Sequence, residues 1–416
     1  MARFRFIHAA DLHLGSPLSG LAMKDEALAR RFAEASRDAF SGLIDAALAE
    51  GVDFLLIAGD IYDGAWKDNR IGLFFNREIA RLDRADIPVF ILRGNHDAES
   101  VVTKTITMPA NVREFSVKAP ETMRIDTLKV AIHGQGFATR SVNDNLAASY
   151  PPAMPGWFNI GMLHTSLSGR PPHAPYAPCT VDDLLARGYD YWALGHVHAY
   201  EQVADMPPVI YPGNIQGRSI RETGEKGVVL VSVEDGEIRH QRLIVDRARF
   251  ERLDIAVTPE MAEDAILSAI EIRAAELSEI ASERPIALRL VLSGTHPRAG
   301  RMLAERQLWH DEAEAALQRG HGDLWLEKLE FDLAAPQAMR PVIADAEAAL
   351  DFRALIDAVA AAPDFAAHVA VLADEIRARL PASVADAQTF PGVDAESLVA
   401  EAESLLLARL DMAEES

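Results

Sequence analysis

Residues 52–63 read Val-Asp-Phe-Leu-Leu-Ile-Ala-Gly-Asp-Ile-Tyr-Asp, an apolar, β-rich run that stops at Gly59 and hands over to Asp60 and Asp63. The same arrangement recurs on both sides of it. Phe4–Ala10 runs into Asp11-Leu12-His13 and Ile87–Leu92 into Gly94-Asn95-His96-Asp97. Trp157–Leu163 ends at His164, and Tyr189–Leu194 runs into Gly195-His196-Val197-His198. A strand delivers its last residues to one edge of a sheet, and open α/β sheets carry their chemistry at the carboxyl ends of strands. Five such ends bearing Asp, Asn and His predict one cluster rather than five scattered loops.

Spacing makes the cluster a metal site. Side chains two apart on an extended segment point to the same side, so Asp11 and His13 can converge on one ion, as can His196 and His198. The Asp60 carboxylate has two oxygens and can bridge two ions, and Asn95 adds a neutral amide oxygen. Carboxylate, imidazole and amide without thiolate suit Mn²⁺, Fe²⁺ or Zn²⁺ and argue against a soft, Cys-based site. Two ions about 3.5–4 Å apart are a known device for displacement at phosphorus, serving both the attacking and the leaving oxygen.

The ordered series DLH, GDIYD, GNHD, His164 and GHVH resembles the calcineurin-like metallophosphoesterase superfamily. The opening Ile7–Gly15 and the two-part region after the catalytic domain narrow the likeness to bacterial DNA repair exonucleases of the SbcD/YhaO type. Motifs support it over residues 4–227, and beyond that only the architecture does. The resemblance implies a four-layer α/β/β/α sandwich, with Asp11, His13, Asp60 and His198 on a first ion and Asp60, Asn95, His164 and His196 on a second. It makes His96 the general acid for the leaving oxygen and Asp63 the residue that orients it, although some archaeal relatives carry His at the position of Asp63. Elementary chemistry agrees on that pair, since a carboxylate partner fixes the tautomer of an imidazole and raises its basicity.

The 416 residues predict two or three domains. Cys179 is the single cysteine, so no internal disulfide can form and a reducing cytoplasm is the expected setting. Met-Ala-Arg-Phe-Arg-Phe leads directly into a strand without a signal-peptide core, and no run of 18 apolar residues predicts a membrane span. The formal charge of −22 is awkward for a DNA enzyme. Residues 342–416 hold 15 acidic and 4 basic residues against 48 and 37 in the rest, so half of the excess sits in a tail. Two divalent ions add positive charge where a phosphate would bind. The charge therefore points to weak DNA binding by this chain alone and to a partner, or else to a substrate other than DNA.

A metallophosphoesterase domain is expected over residues 1–250. Apolar stripes predict helices over Asp25–Glu50, closed by Gly51, and over Asn69–Ala85. Glu121–Val130 with Val130–Phe137 forms a strand pair, and Gly227–Glu234 with Glu237–Val245 a hairpin turned by Asp235-Gly236. Residues 251–335 read as an appended small α+β domain. Its strands fall at Phe250–Val257, Ile286–Leu292 and Leu324–Phe331, with one helix opened by Pro259 and another over Ala299–Gln318. By resemblance it caps the cleft. Residues 336–416 are acidic, with helices expected at 343–361, 364–380 and 394–411. The last carries a seam of Leu398, Val399, Ala402, Leu405, Leu406 and Leu410, which either packs on its neighbours or docks the coiled coil of an SMC-type ATPase (SbcC/YhaN-like).

His8, His133 and His173 read as core, second-layer or loop residues rather than ligands. Gly213 permits a close backbone approach to a phosphate or metal, or else marks a tight turn, and Arg218 and Arg221 are candidate phosphate contacts. The expected function is a dinuclear, metal-dependent DNA exonuclease in repair, with Mn²⁺ as first choice and Mg²⁺, Fe²⁺ or Zn²⁺ as alternatives. DNA is its substrate, an SMC-type ATPase its partner, and a homodimer is left open. A phosphatase or cyclic-nucleotide phosphodiesterase on the same scaffold is the alternative. A noncatalytic binding module is disfavoured because every ligand position is filled by a competent residue.

Overall fold

The computed structural model describes residues 3–16, 26–63, 69–98, 107–168, 176–281, 284–320, 323–334, 354–362 and 364–379, together with positions 399 and 402. The run quoted above becomes β2 (Phe54–Ala58), buried at every residue. It lies parallel between β1 (Arg3–Ala9) and β3 (Val89–Leu92). The crossovers are α1 (Glu26–Glu50) and α2 (Asn69–Asp83). Gly51, at φ 59°, closes α1 as expected: its N–H donates to Leu48 O and that of Val52 to Ala47 O, both at 3.2 Å. With β4 (Val112–Glu114), β11 (Gly227–Glu234) and β12 (Glu237–Ile244) the first sheet has the order β12-β11-β1-β2-β3-β4. The β11–β12 turn places Asp235 and Gly236 at φ 54° and 89°, the left-handed pair that a two-residue hairpin needs.

A second sheet is built from β5 (Glu121–Ile125), β6 (Val130–Gly134), β7 (Phe158–His164), β8 (Tyr191–Gly195), β9 (Glu201–Asp205) and β10 (Pro208–Tyr211), in the order β5-β6-β7-β8-β10-β9. Strand alternation divides the core into layers. Phe4, Phe6, Phe54, Leu56 and Phe90 meet Val130, Ile132, Ile160, Met162 and Tyr191 between the sheets. The alternate residues Ile7, Leu55, Ile57 and Ile91 meet Phe40, Leu43, Ile44, Phe75 and Ile79 of the two helices. Beyond the second sheet, Leu163, Trp192, Leu194 and Tyr211 lie under Tyr150 and under Leu184 of the short α3 (Val181–Leu185). Each fully buried large side chain stabilises by about 1.5–3 kcal/mol, which is why both sheets tolerate burial on two faces. The result is the α/β/β/α sandwich, with a thin outer layer on the second sheet.

The chain divides into two compact units, one of 1–252, 278–288 and 323–327 and another of 253–277, 289–322 and 328–416. A three-stranded sheet runs β13 (Arg249–Val257), β14 (Ile286–Thr295), β15 (Leu324–Ala334). Two expectations need correction. The helix expected from Pro259 begins only at Glu263 (α4, Glu263–Ala281), because Met261 N–H first closes a turn on Thr258 O at 3.2 Å. The helix expected over 299–318 is two, α5 (Ala299–Ala304) and α6 (Arg306–Gly320), broken where Glu305 takes φ −95° and ψ 28°. Toward the C-terminus α7 (Ala354–Ala360) and α8 (Phe365–Arg379) are described. The first part of the helix expected at 343–361, the seam helix at 394–411 apart from positions 399 and 402, and His173 lie outside the described residues. Among the described residues no single helix is long and apolar enough to cross a membrane; the bent pair Ala354–Ala360 and Phe365–Ile376 passes by length and composition only.

The two sheets come close at Gly195, where a Cβ would collide with the backbone oxygen of Ala58. Gly195→Ala is expected to lower stability by about 1–3 kcal/mol, since neither backbone can retreat without breaking a strand end. Urea unfolding of the full chain checks this through a lower midpoint at unchanged slope.

Candidate metal centre

The carboxyl ends of β1, β2, β3, β7 and β8 bring the predicted residues together. Three backbone bonds lace the first two ends: Asp11 N–H to Gly59 O and His13 N–H to Asp60 O at 3.0 Å, and Leu14 N–H to Ile61 O at 2.9 Å. Continuing past the strands bends the chain into the left-handed region. Asp11, His13, Asp60 and His196 have φ of 52°, 43°, 53° and 103°, a conformation that costs a non-glycine residue of order 1–3 kcal/mol each. Asp97, to which the sequence assigned no task, binds two of the turns to each other. Its buried carboxylate accepts N–H groups of Ile61 and Tyr62 at 3.0 Å and of Gly94 at 3.1 Å, and burial beside Asp60 pushes its pKa up to about 7.

The donor atoms then crowd. His13 Nε2 and His198 Nε2 stand 3.1 Å apart, with Asp11 Oδ1 at 3.8 Å from the second and Asp60 Oδ2 at 3.9 Å from the first. His164 Nε2 lies 3.0 Å from Asn95 Oδ1 and 3.4 Å from Asp60 Oδ2. Donor atoms of Asp11, His13 and His198, of His13, Asp60 and His96, and of Asp11, Asp60 and His164 each gather within 4.8 Å of one another. Asp60 belongs to two of the three groups, as a bridging carboxylate must. His196 stands outside them. Its backbone N–H donates to Asp11 Oδ2 at 2.9 Å, and its ring lies 5.2 Å from that of His164 and 4.9 Å from that of Tyr176.

Proton accounting tests whether such a set fits cations. His198 Nδ1 is 2.7 Å from Glu222 Oε1, and His164 Nδ1 is 2.9 Å from Ala58 O. Each Nδ1 therefore donates outward and each Nε2 faces the cluster. The Nε2 atoms meet carboxylate oxygens, an amide oxygen and the Nε2 atom of His13. Donor atoms crowded in this way call for positive charge among them, from a proton on His164 or from a bound cation, and this set suits a metal. The electrostatics agree. Burial works against charge on His164, yet the carboxylates of Asp60 and Asp11 override it and raise its pKa to about 9. Burial also opposes the charge of Asp60, but His164, His13 and His96 hold its carboxyl well below the usual range.

His96, like His198, is partly open to solvent, its side chain 30% exposed against 25%. Its backbone N–H donates to Asp60 Oδ1 at 2.9 Å, and its Nδ1 lies 3.1 Å from Asp63 Oδ1. Burial disfavours the imidazolium, but the bond to Asp63 and the fields of Asp60 and Asp63 outweigh it and raise the pKa. Asp63 is lowered, first by that same bond.

Among the remaining histidines, His8 bonds Tyr191 OH and Leu194 O, and His133 bonds Thr122 and Asn159, all within the core. Gly213 does permit a close approach, but to protein: a Cβ there would come 2.9 Å from His198 O. Arg218 is not a free phosphate contact. Its backbone N–H and its Nη2 both lie 2.8 Å from the Glu222 carboxylate. Glu222 itself was missed, because a glutamate in Arg-Glu-Thr-Gly reads as a solvated loop charge, and only its spacing of four from Arg218 hinted at a pair.

Residues 4–200 match the family model described as calcineurin-like phosphoesterase, and residues 250–334 match that of the metallophosphoesterase YhaO middle domain. The chain is 24% identical over 261 residues to the DNA double-strand break repair protein Mre11 of Sulfurisphaera tokodaii, covering 59% of this chain and 64% of that one. Against the protein of the same name from Methanopyrus kandleri it is 26% identical over 229 residues, covering 50% and 48%. With the uncharacterized metallophosphoesterase YhaO of Bacillus subtilis (strain 168) the identity rises to 40% over 296 residues, covering 70% of this chain and 72% of that one. A match of that depth, over a fold whose strand ends converge on a cation-binding set, makes this chain a calcineurin-like metallophosphoesterase of the YhaO type.

Proposed function

We propose that the chain is a DNA exonuclease that hydrolyses phosphodiester bonds at a dinuclear centre, with Mn²⁺ as its metal, in cytoplasmic DNA repair beside an SMC-type ATPase. In this reading Asp11, His13, Asp60 and His198 hold one ion, and Asp60, Asn95, His164 and His196 the other. When bound, such a pair supplies charge for the attacking and leaving oxygens and an acidified water. The observation that carries the reading is the position of His96. It is solvent-accessible beside a buried donor set, and Asp63 holds its Nδ1, so the opposite nitrogen is left to present a proton to a leaving sugar oxygen. Support for DNA as substrate comes from the named repair proteins among its relatives. The chain's division into a 1–250 catalytic part, a 251–335 capping part and a 336–416 docking part belongs to the same reading. Leu355, Val359, Val371, Leu372 and Ile376, each more than half exposed on α7 and α8, suit a coiled-coil partner.

A phosphatase or cyclic-nucleotide phosphodiesterase is the second reading, and charge favours it. Residues 251–334 hold 17 acidic against 9 basic residues, a balance that favours a substrate other than DNA.

With Mn²⁺ and linear duplex DNA, His96→Ala is expected to lower cleavage by about 10²–10⁴-fold while Mn²⁺ uptake measured by calorimetry persists. Asp60→Asn should lose both cleavage and uptake. Rapid turnover of a cyclic nucleotide or nitrophenyl phosphate, with DNA left intact whatever partner is added, would reverse the ranking. The His96 pKa is raised, so its acid form is present below that raised value and lost as pH climbs through it. Removing the carboxylate in Asp63→Asn takes away a raising influence and should move the alkaline limb of the kcat–pH profile to lower pH.

A further inference from the structure

The ligand side chains are not held alike. Asp11, His13, Asp60 and His164 have side chains no more than 2% exposed, so packing fixes them, whereas His198 is 25% exposed. His13, its neighbour in the same donor group, has a buried Nδ1 with no hydrogen-bond partner among the described residues. The orientation of His198 must come from elsewhere, and four contacts reach it from outside the cluster, one of them Arg218 Nη2 at 3.1 Å from its Nδ1. Glu222 Oε1 lies 2.7 Å from its Nδ1, while Lys226 Nζ and Asn214 N–H donate to its carbonyl oxygen at 3.2 and 3.3 Å. Glu222 is itself immobilised. Arg218 donates to it from backbone and guanidinium at 2.8 Å, and Asn214 Nδ2 donates at 2.8 Å.

We propose that Glu222, clamped by Arg218 and Asn214, is a positioning residue for the ion that His198 binds. It fixes the ring and its tautomer, so that Nε2 faces the cluster deprotonated. The proposal rests on the two-ion reading above and deepens it, making occupancy of one ion and not of the other depend on a loop 24 residues downstream of the ligand. Carboxylates that hold a ligating histidine change metal affinity by about 10–100-fold when removed.

Calorimetric titration of the chelator-stripped full chain with Mn²⁺, followed by EPR, tests this. The wild type is expected to take up two ions and give the exchange-coupled signal of a pair. Glu222→Gln should weaken one ion by about 10–100-fold, leave the other unchanged, and give a mononuclear signal at matched metal. Glu222→Gln also strips Arg218 of its counter-charge, so the paired variant R218Q/E222Q, with the unfolding midpoint of the metal-free protein, separates loss of the clamp from loss of the fold. The same single weakened ion in a folded R218Q/E222Q supports the proposal. Two ions bound by E222Q at wild-type affinity overturn it and leave the two-ion reading standing. No uptake by the wild type overturns both.

Discussion

The structure depends on one electrostatic constraint: buried carboxylates and imidazoles aim their lone pairs at a common space. Asp11 and Asp60 are fully enclosed, and His13, His164 and His198 turn ring nitrogens toward them. Burying a carboxylate costs several kcal/mol unless positive charge or hydrogen bonds compensate it, so the cluster calls for positive charge in its midst. The raised pKa of His164 expresses the same demand, since a proton is the smallest cation that can relieve the oxygens of Asp60.

Backbone strain follows from that constraint. Candidate ligands from five strand ends, three in one sheet and two in the other, converge, and extended chains cannot turn so sharply in ordinary conformations. Asp11, His13, Asp60 and His196 accordingly take positive φ. Asp97 and the laced backbone bonds between the first two strand ends hold the strained turns in place, and the closeness of Gly195 to Ala58 lets the second sheet deliver His196 and His198. The strain at these four residues costs stability where the candidate site needs fixed geometry.

Charge is distributed against a simple picture of DNA binding. Residues 1–250 hold 31 acidic and 27 basic residues, close to neutral once two divalent ions are counted, while the later parts carry most of the excess. In the proposed reading a phosphate is drawn to this centre by metal rather than by a basic surface, and the exposed apolar residues of α7 and α8 belong to the partner part of that proposal.

The strand ends were legible because apolar runs stopping at Gly-Asp, Gly-Asn and Gly-His need only local rules to read, and the α1 stop at Gly51 and the Asp235-Gly236 turn followed from the same logic. The break at Glu305 was not legible, since the apolar pattern runs through it without a proline or glycine. Nor were the roles of Asp97, Arg218 and Glu222, whose partners lie 3 to 36 residues away and are chosen by how the turns fold back. The sequence by itself determined which atoms could bind metal and at which strand ends they stand, because residue type and strand period are local properties. Only the tertiary structure decided which lone pairs face one another, which backbone is strained to bring them there and which carboxylate steadies His198, because those depend on two sheets closing on each other.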